Sequence, residues 1–153
     1  MKNLESVLRD YAHYHQNPTN QAVHVIGTPI IVFSTYGVLG PTFGGVGALG
    51  MILYYFLLDW QLGLFLGPLL GLAWWGVWWM DASGYPYWIQ WALFIGAWVL
   101  QFIGHGVEGR KPALGDNILQ IFAAPASLAA KALFALGWKP DLGRSLNAKK
   151  KGG

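Results

Sequence analysis

The residues able to do chemistry in this chain are its four histidines. His13, His15 and His24 lie in the stretch YAHYHQNPTNQAVHVIGTP, residues 11–29, and His105 lies in QFIGHGVEGRKPAL, residues 101–114. Neutral imidazole is the commonest metal-binding side chain. On a helix, Gln101, His105 and Glu108 share a face at i, i+4 and i+7. Any one of these histidines taken alone reads as a helix cap or an interfacial hydrogen-bonding group. His15, His24 and His105 taken together, with Glu108 beside them, favour a metal site, and that donor set suits zinc or non-haem iron. Asn17, Asn20 and Gln101 are placed to orient the ligands from behind.

Composition narrows the alternatives. The chain has no cysteine, which excludes disulfides, thiolate sites and iron–sulfur clusters. Four histidines are too few for the membrane desaturases and hydroxylases that hold two irons. No H-E-x-x-H or G-x-S-x-G pattern occurs. Charged residues make up 11% of the chain and hydrophobic ones 54%, with nine tryptophans and 21 glycines, which is the composition of a membrane protein. The net charge of +3 gathers in the C-terminal tail and needs no nucleic-acid partner.

The elements that must position the histidines follow from periodicity. Residues 3–16 read as an amphipathic helix with Leu4, Val7, Leu8, Tyr11 and His15 on one face. Lys2, Glu5, Arg9 and His13 fall opposite, which directs His13 to water. Asn17-Pro18-Thr19-Asn20 breaks this helix. Without that break His15 and His24 would stand roughly 13–14 Å apart on opposite faces. A new helix starts near Asn20, with Pro29 expected to kink it.

Four apolar spans follow, at about 23–40, 42–58, 60–80 and 86–104, each approaching the roughly 20 residues that cross a bilayer. The second is the shortest. Gly63, Gly67 and Gly71 form a four-residue repeat that reads as ordinary close helix packing. The turns after spans 1 and 3 lack Lys and Arg, whereas Lys2, Arg9, Arg110 and Lys111 flank the outer spans. Both termini are therefore expected in the cytoplasm. Tryptophans 74, 75, 78, 79, 88 and 91 suit an aromatic belt at the opposite interface. Residues 117–138 read as an interfacial or re-entrant helix. The expected fold is thus an all-α membrane protein forming one integral domain over 1–145, with a basic disordered tail at 146–153. It would sit in a bacterial inner membrane, or in the endoplasmic reticulum of a eukaryote. This arrangement brings His15, His24 and His105 to one membrane surface.

At the same residues the sequence resembles the small membrane proteins typified by the fungal 2-hydroxy fatty acid dioxygenase, long labelled a domain of unknown function. One block is Tyr11-x-x-x-His15-x-Asn17-Pro18-x-Asn20-x-x-x-His24, followed by Gly27 and Pro29. The other is Gln101-Phe102-x-Gly104-His105, then Glu108, Arg110, Pro112-Ala113-Leu114, Asp116-Asn117, Gln120 and Pro125. The middle spans match in hydrophobicity alone. The resemblance implies an iron(II) enzyme that uses dioxygen to cleave the C1–C2 bond of a 2-hydroxy fatty acid. His15, His24 and His105 would be the iron ligands, and Tyr11 would join Asn17, Asn20 and Gln101 in supporting them. Some family members carry an extra residue between the histidine and the glutamate. Here the spacing is His105-Gly106-Val107-Glu108, which leaves Glu108 as either a fourth ligand or a neighbouring base. Arg110 or Lys111 could meet the substrate carboxylate. Membrane lipids are the expected surroundings, and the oligomeric state stays open. The competing class is a non-catalytic lipid-binding or scaffolding membrane protein with structural histidines. A transporter is disfavoured, because no charged residue falls near the middle of any span.

Overall fold

The protein is described by a computed structural model covering residues 3–109 and 121–151, with backbone alone for 147–151. The described residues form six helices and no strand: α1 (Leu4–Tyr14), α2 (Pro18–Leu58), α3 (Trp60–Ala82), α4 (Trp88–Glu108), α5 (Ala123–Ala135) and α6 (Pro140–Lys151). Two of them, α2 and α3, are long and apolar enough to cross a membrane.

Helix α2 is two helices in one. The backbone leaves the helical region at Gly40, with φ 77° and ψ 164°. Residues with a Cβ rarely enter that region, so glycine is the residue that lets the chain reverse there. The reversal is visible in the contacts. Tyr36 Oη lies 3.2 Å from Met51 Sδ, whereas 15 residues of straight helix would separate them by about 22 Å. A Cβ on Gly44 would come within 2.5 Å of the Tyr36 carbonyl oxygen. The two arms of α2 therefore run antiparallel and coincide with the apolar runs 23–40 and 42–58. Pro29 lies within continuous helix, and the one residue of α2 outside the helical region is Gly40, at the boundary expected between the runs 23–40 and 42–58. The helix also starts two residues before the expected Asn20. Asn17 is its N-cap, accepting a hydrogen bond from the Thr19 amide at 2.8 Å, and Pro18 takes the first turn, where no N–H is needed.

Helix α3 returns after Asp59, whose carboxylate accepts from the amides of Gln61 and Leu62 at 3.1 and 3.0 Å. A Cβ on Gly63 would stand 2.6 Å from Phe56, one on Gly67 would reach Phe56 and Ile52 at van der Waals distance, and one on Gly71 would meet nothing within 4 Å. The glycine repeat is thus a packing contact at its first positions and open at its last. The N-terminal arm of α2 is overlaid by α4. Gly27 accommodates Gln101, Gly37 accommodates Gln90, and Gly104 accommodates Asn20.

The two ends of the bundle differ. At one end Trp74 of α3 donates to the Pro41 carbonyl at 2.7 Å and Tyr87 donates to the Val38 carbonyl, tying the Gly40 turn to α3 and to the turn before α4. The exposed side chains of Trp75, Trp78, Trp79, Tyr85, Trp88 and Trp91 belong to the elements around it. At the other end α1 lays Leu4 and Leu8 on a core formed by Tyr55, Leu62, Leu66 and the alanines of α5. Helix α5 is 13 residues long, about 20 Å, and does not match the roughly 30 Å hydrocarbon core. Its Ala126, Ala129 and Ala130 are buried. Lys139 pairs with Asp59, and Trp138 donates to Gln61 at 2.9 Å.

One expectation needs correction. The tail expected to be disordered from 146 is helical to Lys151. Pro140 and Asp141 open α6 with residues suited to a first turn.

Gly40→Ala should lower the thermal unfolding midpoint in detergent or nanodiscs, since strain in this region costs about 1–3 kcal/mol. Gly71→Ala, at an open helical position, should hold the midpoint or raise it.

Candidate metal centre

Three elements deliver the histidines. His15 ends α1, outside the helical region at φ −129°, ψ 72°. His24 lies in the second turn of α2 and His105 in the last turn of α4. All three are buried, at 5%, 5% and 7% exposure. One ring nitrogen from each lies within 4.8 Å of the others. His13, by contrast, is exposed, as the helical periodicity predicts.

Backbone carbonyls fix the ring orientations. His15 Nδ1 faces the Tyr11 carbonyl at 2.9 Å, and the Tyr11 ring stacks on the imidazole with centroids 3.9 Å apart. His24 Nδ1 faces the Asn20 carbonyl at 2.9 Å. A carbonyl only accepts, so each Nδ1 carries the proton and each Nε2 presents a lone pair. Those two Nε2 atoms stand 3.0 Å apart. Facing lone pairs repel unless a cation lies between them. The separation fits two nitrogens on one first-row ion, about 2.9 Å apart for bonds of about 2.0–2.1 Å at right angles. His105 Nδ1 is buried without a hydrogen-bond partner. Burial pushes His15 down from 6.5 to about 4; the Tyr11 carbonyl opposes the shift, and His24 and His105 add to it. A neutral imidazole at ordinary pH is what a metal ion needs.

Glu108 closes the site from outside the triad. Its carboxylate accepts from the Gln16 amide at 2.9 Å, from the Asn17 amide at 2.9–3.0 Å and from Asn20 Nδ2 at 3.1 Å. Both oxygens are engaged by the turn between α1 and α2, and the cluster able to share an ion contains the three histidines. Partial burial works to raise the Glu108 carboxyl, but the hydrogen bonds from Asn17, Asn20 and Gln16 outweigh it and hold the group below its ordinary value. Asn20 joins the parts, bonding Glu108 through its amide and His24 through its carbonyl. Gly104 makes this contact feasible, because a Cβ there would lie 2.5 Å from Asn20 Oδ1. Gly106, on the other side of His105, meets nothing within 4 Å. Tyr11, Asn17, Asn20 and Glu108 thus lie around the triad. Gln101 sits one turn further along α4 and bonds no ligand ring. Arg110 and Lys111 lie outside the described residues.

The histidines stand at one end of a cavity of about 510 Å³. It follows the N-terminal arm of α2 from His24 to Leu39, about 22 Å of helix. Its walls are mainly apolar, including Ile31, Val32, Met51 and Phe102, with Gly47 and Gly50 opposite. Thr28 belongs to this wall and is absent from the residues singled out in the sequence. Its position four residues after His24, on the same helical face, is the signal that would have found it.

A sequence model of the Mpo1-like family, described as 2-hydroxy-palmitic acid dioxygenase, matches residues 1–135. The 2-hydroxy-palmitic acid dioxygenase MPO1 of Saccharomyces cerevisiae is 35% identical over 153 residues, covering 94% of this chain and 87% of the yeast protein. No solved structure matches the chain.

Two predictions test this geometry. Glu108→Ala leaves every histidine in place but frees the α1–α2 turn. Metal affinity, measured by competition with a chelator, should fall about 10–100-fold. The second concerns pH. Below 6.5 the unfolded chain protonates His15, while the folded chain resists protonation down to about 4. The unfolded state binds more protons in that window, so stability rises with pH there. The metal-free protein should therefore lose thermal stability as pH falls from 6.5 toward 4. Glu108, with its lowered carboxyl, adds a loss of the same sign as pH falls through the carboxylate range. Glu108→Gln should remove that second part and keep the first.

Proposed function

The chain belongs to the Mpo1-like family, and on that premise we propose that it is an iron(II)-dependent dioxygenase cleaving the C1–C2 bond of 2-hydroxy fatty acids at the cytoplasmic surface of a membrane. The observation carrying this reading is the position of three buried imidazoles at the polar end of a long apolar cavity. Three neutral nitrogens occupy part of an ion's coordination sphere and leave open positions, as in catalytic rather than structural sites. When bound, iron(II) supplies a site for the hydroxyl and carboxylate oxygens of a 2-hydroxy acid and the redox chemistry that dioxygen requires.

The chain's own residues do the rest. Tyr11 and Asn20 hold the imidazole protons on Nδ1 of His15 and His24. Glu108 keeps the turn that carries both histidines closed over His105. The apolar wall takes the acyl chain and keeps water from the reacting carbons. Arg110 and Lys111 follow Glu108 in sequence and are assigned to the carboxylate by charge. The reaction balances with one dioxygen: the 2-hydroxy acid yields the acid one carbon shorter, carbon dioxide and water. Four electrons leave the substrate as C2 is oxidised to a carboxyl and the C1–C2 bond breaks.

A membrane setting suits such a substrate. Large apolar side chains such as Phe43, Val46, Leu57, Leu64 and Leu72 are more than half exposed, a surface that lipid would cover. We assign four spans, the two arms of α2 together with α3 and α4. The aromatic-rich turns lie at one interface, and the triad with both termini lies at the cytoplasmic one.

Protein purified and reconstituted anaerobically should hold one iron per chain and, on admission of oxygen, convert 2-hydroxypalmitate to the fifteen-carbon acid. His24→Ala and His105→Ala should lose the iron and reduce turnover by more than the about 10–100-fold that outlying residues cost. Iron-loaded wild-type protein that leaves 2-hydroxypalmitate intact would rule out this function.

A further inference from the structure

One helical turn inward from the histidines lies a second polar rung. Thr28 follows His24 by four residues on α2, and Gln101 precedes His105 by four on the antiparallel α4. Each therefore shares a helix face with a histidine, about 5–6 Å further along the cavity. Both line the cavity, at 6% and 5% exposure. Thr28 Oγ1 and Gln101 Oε1 are buried without a hydrogen-bond partner. Beyond them the same wall continues with Ile31, Val32 and Leu39.

This departs from how the fold treats other buried hydroxyls in the same helix. Ser34, also on α2, turns its hydroxyl onto the Ile30 carbonyl at 2.7 Å. That back-bond is the usual refuge of a hydroxyl in an apolar helix. Thr28 has the same option in the His24 carbonyl and leaves it unused. Gln101 has space reserved for it: a Cβ on Gly27 would stand 2.8 Å from its Nε2. Unpaired polar atoms in an apolar wall cost stability unless a ligand completes them.

The chemistry of the pair selects the ligand group. Gln101 Oε1 only accepts, so its partner must donate. Thr28 Oγ1 both donates and accepts. A hydroxyl satisfies both, whereas an ionised carboxylate has no proton to offer Gln101. We propose that Thr28 and Gln101 form a subsite that binds the C2 hydroxyl of the substrate and so separates 2-hydroxy fatty acids from unsubstituted ones. The inference rests on the reading above, in which a 2-hydroxy acid fills this cavity. With the carboxylate outermost, the C2 hydroxyl lies between the triad and the rung, and the remaining chain meets a mainly apolar wall. Thr28 and Gln101 are specificity residues and hold no metal.

The test is anaerobic equilibrium binding of 2-hydroxypalmitate and of palmitate to iron-loaded protein in nanodiscs. The proteins compared are wild type, Thr28→Val, Thr28→Ser and Gln101→Met. Wild type should prefer the hydroxy acid. Thr28→Val and Gln101→Met should each reduce that preference about 5–10-fold, with palmitate affinity and iron content unchanged. Thr28→Ser, which keeps the hydroxyl, should retain it. If wild type shows the preference and both Thr28→Val and Gln101→Met keep it in full, the subsite is wrong while the enzyme reading stands. If iron-loaded wild type binds no 2-hydroxypalmitate, the enzyme reading falls and this inference falls with it. Loss of iron in Thr28→Val would assign Thr28 to ligand support and overturn its role in selectivity.

Discussion

The Glu108 carboxylate closes the bundle by receiving amide protons from a turn 88–92 residues earlier in the chain. Each of its oxygens meets backbone or side-chain N–H groups of Gln16, Asn17 and Asn20. This contact sets the distance between the end of α4 and the start of α2, and that distance decides whether His105 can approach His15 and His24. Charge-assisted bonds of this kind are about twice as strong as neutral ones. They also satisfy amides that the break between α1 and α2 would otherwise leave open.

The consequence is an arrangement that orients two of the three imidazoles and brings their free nitrogens together. The Nδ1 atoms of His15 and His24 rest against carbonyls, and Tyr11 stacks on His15. What stays unresolved is the 3.0 Å approach of two Nε2 lone pairs. Protonation would relieve it, but burial holds His15 neutral to about 4. A metal ion relieves it without that penalty. The apolar cavity beside the triad then supplies the second requirement of lipid chemistry, room for a long chain next to the reacting head.

Much of this was legible in the sequence because it rests on local rules. The 3.6-residue period of α1 separates His13 from His15, and the Asn-Pro-Thr-Asn break allows His15 and His24 to converge. The i, i+4, i+7 face of α4 joins Gln101, His105 and Glu108. The role of Glu108 stayed open because it depends on which backbone amides stand opposite, and helical spacing carries no information on that. The reversal in α2 was assigned to the right place by composition, and it is made at Gly40 because glycine readily enters the backbone region that the reversal needs. Helix α6 was missed because its basic composition reads as a solvated tail, although Pro140 and Asp141 open it properly. Thr28 escaped notice because the cavity wall is assembled from five segments, α1, the two arms of α2, α4 and the start of α5, and leaves no motif in any one of them.

The central claim is that His15, His24 and His105 hold one iron ion. X-ray absorption at the iron edge of protein reconstituted anaerobically in nanodiscs measures this directly. Three imidazole nitrogens bound to iron in the wild type are expected, with loss of that signature in His24→Ala and in His105→Ala and its retention in a His13→Ala variant. An iron environment without imidazole scattering, or one unchanged when His24 and His105 are removed, would contradict it.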